Sequence, residues 1–490
     1  MGGVVHDRQL WPRPDAYANA KSPSGVKTTT TRPSTYAAAM QTGRRSASNI
    51  WSWGDDDREI LRLALPSLGA LVAEPLYVLA DTAVVGHLGT TQLGGLALAS
   101  SLLLIGHAVF IFLAYGTTSS VARLLGAGED KRAAHQAVQS VWLALIIGIG
   151  LAVVIFVLSG PLVSAMGAEG GIRTNALIYL RYSLLGLPAL LVSLAGVGYL
   201  RGRQDTRRPL LVAVGTALFN LVAELVLING LGMGIAASAL TTVAAQMISA
   251  SAYIHWIRQA VFEHHVGLRP EHGAMLRLAG DGFNLMIRTI ALRGGLTFTL
   301  AVASRIGSDD LAAHEIAFEI WMVIVLALDA VAIAAQALVG RALGAGDAAE
   351  ARRLGRRSIV WGAGSGAVLG GAALVASPFL PSIFSNDPAV TSLAAFLLLH
   401  VGFSQPLGGV VFALDGVLIG AGDLRYLAWA MFVASMGLVG VGYVVLEAGA
   451  GIGWLWAGLE LWLLLRAITL LMRFRGTKWQ VLGTGGRSSS

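Results

Sequence analysis

Two carboxylates stand in this chain where an acidic side chain is costly. Asp81 lies in the apolar run ALPSLGALVAEPLYVLADTAVVGHLG, and Glu224 lies in another apolar run, four residues after Asn220. A spacing of i, i+4 puts Asn220 and Glu224 on one face of a helix. Asp81 and Glu224 each fall about five residues from the same end of their runs, which sets them at similar depth. Three such groups converging in an apolar surround form a candidate cation site. A carboxylate taken out of water is favoured in its neutral form, and a second carboxylate nearby strengthens that preference. Proton uptake then removes charge and changes which packing is favoured. A cationic compound in the same pocket competes with the proton, and such competition is the chemistry of exchange. The oxygens of Asp81, Asn220 and Glu224 can equally take a sodium ion; no other metal site is expected, and no cofactor.

Other polar groups in apolar runs carry weaker expectations. Glu74 precedes Asp81 by seven residues, on the same helix face, where it can attract cations. Tyr77 and Tyr115, with Tyr179 and Tyr182, offer aromatic faces to a cationic ligand. Arg288 and Asp329 lie at comparable depth in later runs and are expected to pair. Arg293 and Gln336 are lesser candidates of the same kind. His107, His314 and His400 read as hydrogen-bonded core residues. His314-Glu315 opens like a zinc-protease motif, but Phe318 stands where the second histidine belongs. There is no Walker A loop for nucleotide and no cysteine for thiol chemistry.

The elements that must hold these residues follow from composition. Apolar residues make up 55% of the 490, charged residues 13%, and mean hydropathy is +0.67. A soluble protein carries about 25% charged residues, so a soluble enzyme is excluded and an all-α integral membrane protein is expected. Net charge is +7 with only four lysines, and no basic segment is interleaved with aromatics as nucleic acid would require. Runs of about 20 apolar residues, each long enough to span a bilayer, occur at about 59–85, 93–121, 135–159, 174–198, 209–229, 234–257, 279–303, 311–339, 358–377, 389–417, 426–446 and 452–472. Sixteen arginines and lysines fall in loops after even-numbered spans and two, Arg173 and Arg305, after odd-numbered ones. The positive-inside rule then places both termini in the cytoplasm. Residues 1–57, with Pro12, Pro14, Pro23 and Pro33, read as a disordered tail with Trp51 and Trp53 at the interface.

The chain also repeats itself. VARLLGAGED at 121–130 matches VGRALGAGD at 339–347, aligning Arg123 with Arg341 and Gly126 with Gly344 at an offset of 218. The same offset sets Pro188 on Pro406, Gly198 on Gly416, Gly202 on Gly420 and Asp205 on Asp423. It crosses six spans, so the halves are parallel, as in transporters built of two bundles. The expected organisation is a six-helix lobe at 58–258, an inter-lobe loop at 259–278, a second six-helix lobe at 279–475 and a cytoplasmic tail at 476–490.

These residues resemble the multidrug and toxic compound extrusion (MATE) family, and within it the DinF-like (DNA-damage-inducible protein F) subfamily. The first span carries the subfamily's Ala-Leu-Pro and Asp-Thr-Ala-Val-Val-Gly-His-Leu-Gly, with Ala80 for the usual valine. The eighth span, from Ala312 to Asp347, and LRGRQDTRRP at 200–209 are similar to further signatures, the latter with Arg203 for a glycine. The resemblance implies a cation-coupled exporter of two lobes. It implies that Asp81 on span 1 and Asn220 and Glu224 on span 5 couple the ion, Glu224 standing where the subfamily has Asp, and that Pro66 marks a kink in span 1 linked to protonation. The span-7 carboxylate of sodium-coupled NorM-like members has no counterpart, which favours protons. The expected function is therefore secondary active efflux of an organic, cationic or amphipathic compound by proton- or sodium-coupled antiport, in a monomer of the plasma or inner membrane. The alternatives are a flippase for a lipid-linked precursor, a membrane-embedded enzyme and a channel.

Overall fold

A computed structural model describes residues 53–484, with the side chains of 104–109 and Asn229 excepted. The tail readings for 1–52, Trp51 included, and the core reading for the His107 side chain lie outside the described residues. The elements are α1 (Asp55–Gly86), α2 (Thr90–Phe110), α3 (Phe112–Gly126), α4 (Asp130–Ala165), α5 (Gly170–Ser183), α6 (Leu187–Gly202), α7 (Arg207–Leu225), α8 (Ile235–Glu263), α9 (His272–Ile306), α10 (Ser308–Gly344), α11 (Ala348–Ala376), α12 (Pro388–Gly420), α13 (Leu424–Glu447) and α14 (Ile452–Arg475).

Among the described residues, eleven helical stretches are long and apolar enough to cross a membrane. The expected second span is the twelfth, divided at Ile111 into α2 and α3. The fourth changes to a 3-10 turn at Leu184–Gly186 before α6, which begins with proline at its second position. Proline suits a helix start because its missing N–H is one of those left unbonded there anyway. The connector expected over 259–278 is helical at both ends and leaves only 264–271 outside α8 and α9. It docks on α4, where the Trp142 indole donates to the Leu268 carbonyl at 2.8 Å and Gln139 donates to Arg269 O at 3.0 Å.

Glycine sets how closely the helices approach. A β-carbon at Gly198 would meet the Ala114 carbonyl at 2.5 Å, and one at Gly202 would meet the Thr118 carbonyl at 3.0 Å. Their repeat mates Gly416 and Gly420 meet Ala332 and Gln336, the repeat mates of Ala114 and Thr118. The duplication read from the sequence is thus a duplication of packing: α6 on α3 in the first half, α12 on α10 in the second.

One core joins the halves. Ile60, Leu63 and Ala64 of α1 and Leu113 of α3 share it with Ala334, Leu338 and Leu343 of α10 and Leu414 and Leu418 of α12. These residues sit toward the end that carries the arginine-rich loops. Toward the other end the cores are separate, one around Leu96, Leu180 and Ile235 in the first half and one around Trp321, Leu397 and Trp462 in the second. Hydrogen bonds between the halves follow the same division: Ser119 to Gly420 O at 3.2 Å, Arg341 to Gln204 at 2.6 Å, and the Trp361 indole to Asp57 at 2.7 Å. Asp57, buried in the first turn of α1, also takes Arg357 of α11, while Asp56 takes Arg353 at 3.0 Å. Trp53 meets Trp361 edge-on at 6.0 Å. The halves are joined at the arginine-rich end.

Candidate functional site

A cavity of about 400 Å³ opens within the first half, lined by Glu74, Tyr77, Asp81, Tyr179, Asn220 and Thr242 among others. It is bounded by α1, α2, α5, α6, α7 and α8. The i, i+4 face predicted for α7 is turned inward, with Asn220 1% and Glu224 0% exposed. The Asp81 side chain, 6% exposed, accepts a hydrogen bond from the Ser238 hydroxyl at 2.6 Å. Glu224 neighbours both the Asp81 carboxyl and Ser238. No donor reaches either Glu224 oxygen, and the Asn220 amide likewise has no hydrogen-bond partner.

The arrangement has a plain chemical meaning. Two carboxylates facing each other away from water repel unless a proton or a cation lies between them. With a proton, one carboxyl becomes a donor and the other its acceptor. The two unpartnered carboxylate oxygens and the Asn220 amide are groups that such an ion would satisfy, as buried polar atoms require.

The sequence reading did not single out α8, yet α8 completes the site. Ser238 and Thr242 are four residues apart, hence one turn. They meet Asp81 and Tyr77 of α1, also one turn apart, in two rungs: Ser238 to Asp81, and a 2.7 Å hydrogen bond joining the Tyr77 and Thr242 hydroxyls. The signal was present as a polar stripe of Ser238, Thr242, Gln246 and Ser249 along an otherwise apolar span. Alone it reads as ordinary helix packing, because serine and threonine commonly bond their own backbone.

Pro66 lies inside α1, and so does Pro75, which the sequence reading passed over. Each removes one helical hydrogen bond. Pro75 directly follows Glu74, a cavity-lining residue, whereas Pro66 lies nearer the joined end.

The aromatic expectations divide. Tyr77 and Tyr179 line the cavity; Tyr182 is exposed on α5. Tyr115 is not among the cavity residues. It stands where the halves meet, its hydroxyl donating to Asp329 at 3.3 Å and its carbonyl accepting from Gln336 at 2.6 Å.

The expected Arg288–Asp329 ion pair is not formed. Arg288 donates instead to Asp415 of α12 at 2.5 Å, and Arg466 of α14 donates to the same oxygen at 2.5 Å. Helix α9 turns Arg288 toward α12 and α14, leaving Asp329 to Tyr115. Arg466 also stacks over Trp462, 4.6 Å from the ring centroid. Asp415 and Arg466 are charges inside apolar runs, so the rule that found Asp81 would have found them. Arg293 is exposed. His314 is buried and accepts from the Trp456 indole at 3.2 Å; His400 pairs with Glu460 at 2.9 Å.

Comparison with known proteins agrees with this architecture. The MatE family model matches residues 66–226 and 286–444, the second stretch ending 218 residues after the first. Protein DETOXIFICATION 44, chloroplastic, of Arabidopsis thaliana is 30% identical, over 86% of this chain and 84% of that one. The probable multidrug resistance protein NorM of Xanthomonas axonopodis pv. citri is 30% identical over 86% and 94%. DNA damage-inducible protein F of Escherichia coli K12 is 27% identical over 86% and 92%. A solved multidrug resistance MATE family transporter in an outward-facing conformation superposes with a TM-score of 0.78 at 22% identity, covering 86% of this chain and 96% of that one. A fold built of two repeated halves, the multi-pass membrane composition and a family model matched twice converge on one assignment: the chain belongs to the MatE family of membrane transporters.

Proposed function

We propose that this transporter expels an organic, cationic or amphipathic compound in exchange for protons, with Asp81 and Glu224 as the coupling pair and Asn220 and Ser238 beside them. The observation that carries the reading is the fully buried Glu224, set against Asp81 beside a 400 Å³ cavity with no donor on its oxygens. A proton shared by that pair satisfies both carboxyls; sodium, held by the same oxygens, is the alternative coupling ion. Glu74, Tyr77 and Tyr179 give the cavity acidic and aromatic walls suited to a cation. The pattern in the first span supports a DinF-like membership.

With the arginine-rich loops in the cytoplasm, as the positive-inside rule has them, the joined end is the cytoplasmic one and the conformation is outward-facing. Both termini then lie in the cytoplasm, in a monomer of the plasma or inner membrane. Transport requires the joined end to part and the other to close around the site, the rocking of one repeat against the other. A carrier for a lipid-linked pyrophosphate would want free cationic groups, but Arg288 is engaged by Asp415.

Ethidium efflux from proteoliposomes tests the reading under imposed pH and sodium gradients, with Asp81→Asn beside the parent. Transport driven by the pH gradient and lost in Asp81→Asn is the expected result. Transport that persists unchanged in the variant rules out this coupling site.

A further inference from the structure

Residues 476–484 fold back across the joined end as a strap. Trp479 is completely buried, stacked on Phe474 with ring centroids 5.2 Å apart. The Arg352 guanidinium of α11 lies over both rings and donates to the Gly476 carbonyl at 2.6 Å. The Gly483 N–H donates to Leu343 O at 2.9 Å, and Gln480 donates to Ala348 O at 3.1 Å. All these anchors belong to the second half.

What the strap presents to the first half is a set of carbonyls, and one residue takes them. Arg123 of α3, 4% exposed, donates Nε and Nη2 to Gly483 O at 3.2 and 3.1 Å. Its Nη2 also donates to Val481 O, and its Nη1 donates to Ala421 O at 2.6 Å. Ala421 caps the C-terminal end of α12, where unpaired carbonyls carry partial negative charge that suits a guanidinium. The donor thus sits in one half and every acceptor in the other, so parting the halves breaks four bonds to a buried cation together.

The repeat supplies an internal control. Arg341, the repeat mate of Arg123, is exposed and reaches across the halves to the Gln204 side chain alone. The position is duplicated; the burial and the strap are not.

We propose that residues 476–484 and Arg123 form a latch that holds the joined end closed and releases Arg123 each time that end opens. The proposal rests on the alternating-access reading, but its test measures conformation, not transport. The chain has no cysteine, so Lys131→Cys and Ala349→Cys, one on each half at the joined end, carry the only spin labels. Pulsed dipolar distances in lipid nanodiscs then report whether that end is closed or parted. Arg123→Gln and removal of everything after Gly476 are each expected to raise the parted-to-closed ratio about ten-fold, which is about 1.4 kcal/mol. Combined, they should do little more than the larger single change, because both remove the bonds from Arg123 to Val481 and Gly483. Arg341→Gln should stay within about two-fold. Because the truncation also removes buried Trp479, Gly483→Val is the milder variant. Gly483 has φ +75°, a conformation a β-branched residue resists, and changing it displaces the carbonyl while leaving Trp479 in place. Unchanged distances in Arg123→Gln and Gly483→Val, or fully additive effects of Arg123→Gln and the truncation, would overturn the latch. Loss of ethidium transport with distances behaving as expected would count against the proposed function and leave the latch standing.

Discussion

Gly126 and Gly344 are repeat mates that cross one another at the joined end, each seated on the backbone carbonyl of the arginine three residues before the other: Gly126 on Arg341, Gly344 on Arg123. No side chain fits at either place, since a β-carbon would collide with backbone that cannot swing away. The closed end therefore depends on two hydrogen atoms in symmetry-related positions. Gly126→Val and Gly344→Val should each force the helices apart and weaken the closed state by about 1–3 kcal/mol, the usual cost of overpacking. Labelling of an introduced Ser119→Cys, buried against Gly420 of the second half, should accelerate in both; unchanged labelling would show that the helices accommodate the added bulk.

Asp415 is the one carboxylate bonded to both Arg288 and Arg466. Asp415→Asn leaves two buried guanidiniums without their counter-charge and should cost about 3–5 kcal/mol. Arg466→Met, which leaves a simple Arg288–Asp415 pair, should cost clearly less. Thermal unfolding in detergent compares the two, and equal melting temperatures would contradict the assignment of charge balance to Asp415.

Ser238 bonds the Asp81 carboxylate at 2.6 Å. A hydrogen bond to a charged group contributes about 1.5–3 kcal/mol, so Ser238→Ala should slow coupled transport about ten-fold or more without loss of folded protein. Ser238→Thr, which restores the hydroxyl, should recover most of the rate. Rates of both variants equal to the parent would remove Ser238 from the site.

Glu224 separates charge from geometry. Glu224→Gln should abolish gradient-driven efflux, whereas Glu224→Asp should retain it at a reduced rate, because the carboxyl survives on a shorter arm. Equal activity of Glu224→Gln and the parent would show that Asp81 acts without a partner.

Much of this was legible in the sequence because membrane folding leaves strong marks. Each span needs a run of apolar residues, a buried charge needs a reason, and a duplicated packing keeps its glycines at a fixed offset, as Gly198 and Gly416 do. The break at Ile111 left no mark, since an interrupted span and a continuous one have the same composition. The partner of Arg288 was misjudged because depth along a helix can be counted from sequence while azimuth between non-adjacent helices cannot. Ser238 went unseen for a related reason: a serine in a membrane helix usually satisfies itself, and only the neighbouring helix reveals that this one serves Asp81.

Helix α1 is bonded to both halves of the molecule. Near its start, Asp57 holds Arg357 and Trp361 of the second half; near its end, Asp81 and Tyr77 hold Ser238 and Thr242 of the first. At 1.5 Å per residue, Asp57 and Asp81 are about 36 Å apart along one helix. Under the proposed coupling it would act as a lever with its load at the joined end and its trigger at the carboxyl pair, and Pro66 and Pro75 each omit a helical bond along its length. An ion bound in one lobe would then move the other through a shared rod, and the second lobe would follow with no ion site of its own.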